Sequence, residues 1–311
     1  MSHTVNPVKF SITILGAGSA LPATGRNPTA QLLNVNHHYY LIDCGEGTQM
    51  QFRRFGLKMQ RLEAVFISHL HGDHYFGLIG LLNSMHLLGR TKELSIIGPV
   101  GLKQIIEIQI KAARGRLRYP LRFSEIEAPD EKTEVFADKH MRVESFALKH
   151  RIDCLGFSFT EHQRERHYIP SKGEALGVMQ VDIPLLKRGE DVTRDDKTIR
   201  FEDVTEPAPK PRTYSFCTDT RALDSTVEHA RGANVLYHEA TFESEDEKRA
   251  HETYHSTSKQ AAEIALRAGV NKLIIGHFSA RYKSLDKMLS EAREVFEQTD
   301  LAEEGVEFEI R

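Results

Sequence analysis

Four side chains able to bind a metal ion fall within six residues in the stretch Ser68 to Gly77, which reads S-H-L-H-G-D-H-Y-F-G. His69 and His71 stand two apart at the end of the apolar run Ala64 to Ile67, and in extended backbone such a pair projects to the same side. Gly72 lets the chain turn, and Asp73 and His74 follow at once. Four ligands this close exceed what one tetrahedral zinc takes once distant residues join, so the spacing points to two ions. Imidazole nitrogens with a carboxylate oxygen suit zinc first, with manganese, iron or cobalt as neighbours in preference.

Rigid elements must place these residues, and the apolar runs supply them. Phe10 to Leu15 reads as a strand that leaves through Gly16-Ala17-Gly18-Ser19. No helix pattern opens there and Pro22 follows Leu21, so a glycine turn at a pocket edge is preferred to a nucleotide fingerprint. Tyr39 to Ile42 is a strand ending at Asp43 and a Gly45-Glu46-Gly47 turn, with a helix carrying Gln49, Arg53, Arg54 and Lys58 behind it. Leu78 to Leu88 has helical spacing, Leu94 to Ile97 is strand-like before Gly98-Pro99, and Ile105 to Ala113 is helical. Its exit, Lys111 to Arg118, is strongly basic, and a solvated helix end favoured by the dipole is the preferred reading over RNA contact. Met141 to Leu148 alternates as a strand and ends near His150, and Leu155 to Thr160 alternates again. Thr213 to Cys217 ends at Asp219, Val235 to Tyr237 at His238-Glu239, and Leu273 to Gly276 at His277. Ser258 to Arg267 is helical with an N-cap at Ser256 or Thr257. From Glu161 to about Thr198 periodicity fades among Pro170, Gly173, Gly177, Pro184 and Gly189, an excursion from the core that is functional or disordered. Thr205 to Pro211 reads as a proline-rich connector. Two regions of short strands with interspersed helices predict a layered α/β sandwich, and no period of a repeat array is seen.

Length, at 311 residues, allows one large sandwich or two domains. With 40% hydrophobic and 27% charged residues and a mean hydropathy of -0.41, the composition is that of an ordinary globular protein. Met1 to Phe10 holds no apolar signal segment and no run approaches a membrane span, so a cytoplasmic protein without membrane contact is expected. Cys44, Cys154 and Cys217 are odd in number and form no CxxC pair, which argues against a disulfide framework or a cysteine zinc site. A formal net charge of -3 gives no global signal for nucleic acid.

Asp43, His69, His150, Asp219, Glu239 and His277 all fall just beyond apolar strand-like runs, where a sheet presents its loops to a shared cleft. At these residues the sequence resembles ribonuclease Z, the tRNA 3′-processing endonuclease family of the metallo-β-lactamase superfamily. The HxHxDH motif stands as His69, His71, Asp73 and His74, and the upstream acidic motif as Leu41 to Gln49. His238-Glu239-Ala240-Thr241, His255-Ser256-Thr257 and His277-Phe278-Ser279-Ala280-Arg281-Tyr282 match motifs specific to the family.

The resemblance implies a single α/β domain over 1–311, a four-layered αβ/βα metallo-β-lactamase sandwich, with a substrate-binding arm inserted at about 161–198. It implies one zinc held by His69, His71 and His150, a second by Asp73, His74 and His277, and Asp219 bridging them. Asp43 would orient a ligand histidine by hydrogen bonding. Two Zn(II) with two carboxylates and one hydroxide leave a site of charge about +1, suited to a phosphodiester anion. His255, oriented by Glu239, would protonate the leaving 3′ oxygen. Arg281 would hold a substrate phosphate through its planar fork. Arg26 and Asn27 resemble the end of the family's PxKxRN loop, in which Thr24 replaces the lysine. Asp219 is preceded by Thr218, where the family more often has glycine. In the arm Arg164, Arg166, His167 and Lys172 offer positive charge, and Ile183-Pro184-Leu185 stands in place of a Gly-Pro pattern. The expected function is a homodimeric zinc endoribonuclease cutting precursor tRNA to 3′-hydroxyl and 5′-phosphate ends. The rivals are a small-phosphodiester, cyclic-nucleotide or thioester hydrolase on the same ligands, and a nonenzymatic RNA-processing subunit with structural zinc.

Overall fold

The computed structural model describes residues 9–23, 25–195 and 197–311. The lysine-to-Thr24 departure therefore lies outside the described residues, as does most of the Met1 to Phe10 segment. The chain divides into two compact units, one made of Met1–Thr160 with Arg212–Arg311, the other of Glu161–Pro211.

The larger unit is built on two mixed sheets of seven strands. The first runs in the order Glu307–Glu309, Phe10–Gly16, Ala30–Val35, His38–Ile42, Leu62–Phe66, Leu94–Pro99, Leu121–Ile126. From His38–Ile42 to Leu121–Ile126 every pairing is parallel, and the earlier ones are antiparallel. The second runs Thr299–Leu301, Lys272–Gly276, Val235–Glu239, Thr213–Cys217, Cys154–Glu161, Met141–Leu148, Thr133–Ala137, with parallel pairing through its first four strands. Each sheet thus has a parallel half whose carboxyl ends can present loops in one direction.

Alternation explains the layers. Along His38–Ile42, Tyr40 and Ile42 join one core cluster with Phe157, Phe159 and Phe216 of the second sheet, while Tyr39 and Leu41 join another with Phe52, Leu81 and Ile106 of the helices on the far side. Phe66 meets Phe157 and Phe159 across the sheets with ring centroids 5.5 and 5.1 Å apart. Helices Thr48–Arg54, Leu78–Leu87 and Leu102–Ala112 cover the first sheet, and Asp224–Ala230, Ser258–Ala268 and Asp286–Arg293 the second. This is the αβ/βα order the resemblance implied.

Strand Ala30–Val35 escaped the sequence reading because all six of its residues are buried, so its Gln31 and Asn34 break the apolar run without marking a solvent face. The N-cap of Ser258–Ala268 is Thr257, which forms a capping box with Gln260. The three cysteines are free and buried.

The smaller unit corrects the picture of a structureless excursion. Helices Pro170–Leu176 and Ile183–Lys187 and the hairpin Val192–Arg194 with Lys197–Ile199 surround a core of Leu186, Val192, Ile199 and Val204. The unit reaches Pro211 rather than ending near Thr198, and Thr205–Glu206, read as connector, pairs with His167–Tyr168. Elements of two to seven residues are too short to register as periodicity.

Candidate metal centre

Asp43, Asp219 and His277 each stand one or two residues beyond a strand end, and all three adopt left-handed backbone with φ of 57°, 38° and 61°. Such conformations are costly for residues other than glycine and concentrate where the surrounding structure must aim a side chain. His69 and His71 lie in the loop after Leu62–Phe66, His71 extended at φ -76° and ψ 144°, just before the short helix Gly72–Tyr75. That helix carries Asp73 and His74. Two backbone bonds tie it to the acidic loop, from Cys44 N–H to the His74 carbonyl at 2.7 Å and from Gly77 N–H to the Cys44 carbonyl at 2.9 Å.

The ligand atoms converge in two groups. His71 Nδ1 lies 3.0 Å from His69 Nε2 and 3.2 Å from His150 Nε2. Asp219 Oδ2 stands 3.6 and 3.8 Å from the last two nitrogens. In the second group Asp219 Oδ1 is 3.2 Å from His74 Nε2 and 3.1 Å from His277 Nε2, and Asp73 Oδ2 is 3.4 and 3.6 Å from the same atoms. His74 Nε2 and His277 Nε2 are buried yet have no hydrogen-bond partner of acceptable geometry. Two ligands about 2.0–2.1 Å from one tetrahedral zinc lie roughly 3.3 Å apart, so these spacings fit a shared ion. The two oxygens of Asp219 are divided between the groups.

The opposite ring nitrogens of His69, His74, His150 and His277 are engaged. His74 Nδ1 faces Asp43 Oδ2 at 2.7 Å. Ser68 donates its hydroxyl to the same oxygen at 2.9 Å, leaving its lone pairs for the N–H of His69 Nδ1 at 3.0 Å. Thr241 donates to Glu239 Oε2 at 2.7 Å and accepts from His277 Nδ1 at 2.9 Å. His150 Nδ1 donates to the carbonyl of Tyr254 at 3.2 Å. Each bond puts the proton on Nδ1 and frees Nε2 for a metal. Ser68 and Thr241 had no assigned role in the sequence reading. The signal available was a hydroxyl residue beside or two beyond a motif member. The N–H of Ala20, in the glycine turn, reaches Asp73 Oδ2 at 2.7 Å.

Electrostatics sharpen the picture. Burial and the neighbouring His74 hold His69 well below the ordinary histidine range, and burial likewise lowers His71 and His150. Burial opposes charge on His74 as well, yet Asp219, Asp43 and Asp73 outweigh it and raise it well above that range. The carboxylates of Asp73 and Asp219 are held low against burial by the histidines around them. A metal must therefore displace protons as it enters.

His255 Nδ1 meets Glu239 Oε1 at 2.8 Å. Burial pulls this imidazole down, but the Glu239 charge and hydrogen bond prevail and push it up to about 9. Glu239 also accepts the N–H groups of Thr220 and Thr241 at 2.9 and 3.0 Å, which fixes it. His255 can also be grouped with Asp219 and His277 as a potential ligand. These residues open on a cavity of about 410 Å³ whose wall includes Ser19, Ala20, His71, Asp73, His150 and His277. His238 joins none of the candidate metal groups among the described residues.

The expected RNA-contact residues are more dispersed. Arg281 pairs with Asp246 at 3.3 Å. Arg26 donates to the carbonyl of Tyr282, and Asn27 Nδ2 to Glu304 at 2.7 Å, so both are engaged within the fold. In the smaller unit Arg164 pairs with Glu161 at 3.0 Å, Arg166 stacks on Phe201 at 4.6 Å and donates to Thr205, and Lys172 is exposed. The basic run from Lys111 leaves its helix exposed except at Leu117.

Ribonuclease Z of Bacteroides fragilis is 44% identical over 299 residues, covering 96% of this chain and 98% of that protein. The chain belongs to the ribonuclease Z family. A second ribonuclease Z, from Porphyromonas gingivalis, is 42% identical over 302 residues, covering 97% of this chain and 99% of that protein. The crystal structure of human tRNase Z, short form, superposes with a TM-score of 0.71 at 27% identity, over 97% of this chain and 99% of that one. YhfI of Bacillus subtilis, a metallo-β-lactamase fold protein 20% identical, shares the fold with a TM-score of 0.68 over 97% of this chain and 99% of that one. The family model described as Anti-Pycsar protein Apyc1 matches residues 10–162. That match ends before Asp219, Glu239, His255 and His277, whereas the likeness to the ribonuclease Z chains covers 96–97% of this chain. Among the described residues no helix is long and apolar enough to cross a membrane.

Proposed function

We propose that this protein is a zinc-dependent endoribonuclease that removes the 3′ trailer of precursor tRNA, leaving 3′-hydroxyl and 5′-phosphate ends. The observation that carries the reading is the end-to-end likeness to ribonuclease Z chains, and the two ligand groups and the His255–Glu239 pair support it. His69, His71 and His150 would hold one ion, Asp73, His74 and His277 the other, with Asp219 shared between them. Unpartnered Nε2 atoms on His74 and His277, and the divided carboxylate of Asp219, support that assignment. Nitrogen and carboxylate donors without thiolate suit zinc, with manganese, iron or cobalt as alternatives.

When bound, the two ions supply positive charge for the phosphodiester and a water acidic enough to attack near neutral pH. The protein residues do the rest. Asp43, Ser68 and Thr241 keep the ligand imidazoles in one tautomer. As the bond from phosphorus to the 3′ oxygen breaks, its electron pair stays on that oxygen, and His255 in its imidazolium form delivers the proton. Glu239 keeps His255 charged and oriented. Arg281 receives a backbone phosphate, and the 161–211 unit, with Arg164, Arg166 and Lys172, is the arm that holds the body of the tRNA. Arg26 and Asn27 brace the segment before Ala30 in this reading. The enzyme acts as a homodimer in the cytoplasm.

The test is incubation of the zinc-loaded protein with a precursor tRNA bearing a 3′ trailer, beside a small chromogenic phosphodiester and a D73A control. Discrete cleavage near the discriminator base, absent in the control, is the expected result. Hydrolysis of the small ester with the precursor left intact would overturn the substrate assignment and favour a small-phosphodiester hydrolase on the same ligands.

A further inference from the structure

Asp246 occupies the N-cap position of helix Glu247–Thr253, where aspartate ordinarily accepts a hydrogen bond from the first turn, yet its side chain caps nothing. Its Oδ2 instead faces Arg281 at 3.3 Å and accepts the hydroxyl of Tyr282. The neighbouring acids do not compete for Arg281, because Lys287 takes both Glu243 and Glu245, at 2.6 and 2.7 Å. The Arg281 guanidinium also lies over the Phe242 ring at 5.2 Å, and the same ring meets His255 with centroids 6.1 Å apart. Ser279 N–H bonds the carbonyl of Thr241 at 3.2 Å, so the segment carrying Arg281 is pinned to the residue that aims His277. The Arg281 side chain is 34% exposed and that of Asp246 30%, so the pair is partly open to solvent.

From this arrangement we infer that Asp246 is a positioning residue for RNA binding. With Phe242 and Tyr282 it holds the Arg281 guanidinium in one orientation on the Phe242 ring, which also neighbours His255, so that the fork meets a phosphate of the bound strand without first being ordered. The inference rests on the ribonuclease reading above. A helix-capping role alone would predict a side chain turned to the first turn of Glu247–Thr253, and that contact is absent.

The experiment is steady-state cleavage of precursor tRNA by D246A, D246N, R281A and the D246A/R281A double variant, with wild type as the reference and thermal melting as a check on folding. D246A raises KM about tenfold while kcat stays within about threefold, the size of effect expected from losing a charge-assisted contact. D246N, which keeps acceptors for Arg281 and Tyr282, returns KM most of the way. In the R281A background D246A adds nothing, since its effect passes through that residue. Should D246A unfold, Y282F, which removes the other partner of Asp246, carries the same test with a smaller rise in KM. A fall in kcat with KM unchanged, or an undiminished effect in the R281A background, overturns the proposal by placing Asp246 in support of the helix before His255. Failure of wild type to cleave the precursor would sink the substrate reading instead, and is separately visible.

Discussion

His255 is a histidine whose environment works against itself: burial disfavours its charge, and Glu239 at 2.8 Å restores it. Replacing His255 by alanine should lower kcat on precursor tRNA by about 10²–10⁴-fold, the range of a lost general acid, with metal content unchanged. Loss of metal from that variant, by elemental analysis, would make His255 a ligand. The raised pKa also has a stability consequence in the metal-free protein. Because the folded value of about 9 lies above the ordinary histidine value of 6.5, the pair stabilises fully below 6.5 and the stabilisation is lost as pH rises through 9. The stability gap between wild type and E239Q, from urea unfolding without metal, should shrink across that window; a constant gap would show that Glu239 acts only as a fixed acceptor. At His74 the same logic gives an imidazolium between three carboxylates that must lose a proton to bind metal. Metal titration in buffers of different ionisation enthalpy should therefore report net proton release near neutral pH.

At the scale of elements, the site depends on how closely the acidic loop and the short helix Gly72–Tyr75 approach. A Cβ added at Gly77 would sit 2.0 Å from the Gly45 carbonyl oxygen, and one at Gly45 would sit 2.5 Å from that of Asp73. Both contacts are with backbone, so neither can be relieved by a rotamer change. G77A should cost roughly 1–3 kcal/mol of stability by overpacking and weaken metal binding, because the displaced loop carries Asp43 and the displaced helix Asp73 and His74. Wild-type metal affinity in G77A, measured by competition with a chelator, would show that the interlock does not set the ligand geometry.

Over the whole molecule, the unit Glu161–Pro211 leaves and rejoins the second sheet between adjacent strands. Thr160 and Thr213 are register partners, their hydroxyls 3.1 Å apart, so a short linker can replace the unit with little loop-closure cost. Such a variant should lose precursor tRNA cleavage far more than hydrolysis of a small phosphodiester. Equal losses on both substrates would make the unit a structural element rather than an arm for RNA.

The amino-acid sequence by itself determined where the chemistry is. A motif of four potential metal ligands within six residues, and acids or histidines just past apolar runs, depend only on local residue type and spacing, and Met141–Leu148 and Thr213–Cys217 were legible to the residue. Tertiary structure alone decided which atoms meet. Asp219 could be recognised as a candidate ligand, but the division of its two oxygens arises only when strands far apart in sequence lie side by side. Ser68 and Thr241 became orienting residues for the same reason, since a hydroxyl has no role until a ring nitrogen faces it. Asp246 reads locally as a helix cap, and only the return of Arg281 and Tyr282 from 35 and 36 residues away turns its carboxylate elsewhere. The Glu161–Pro211 unit stayed illegible because its short elements gain stability from a small shared core, which no run of a few residues announces.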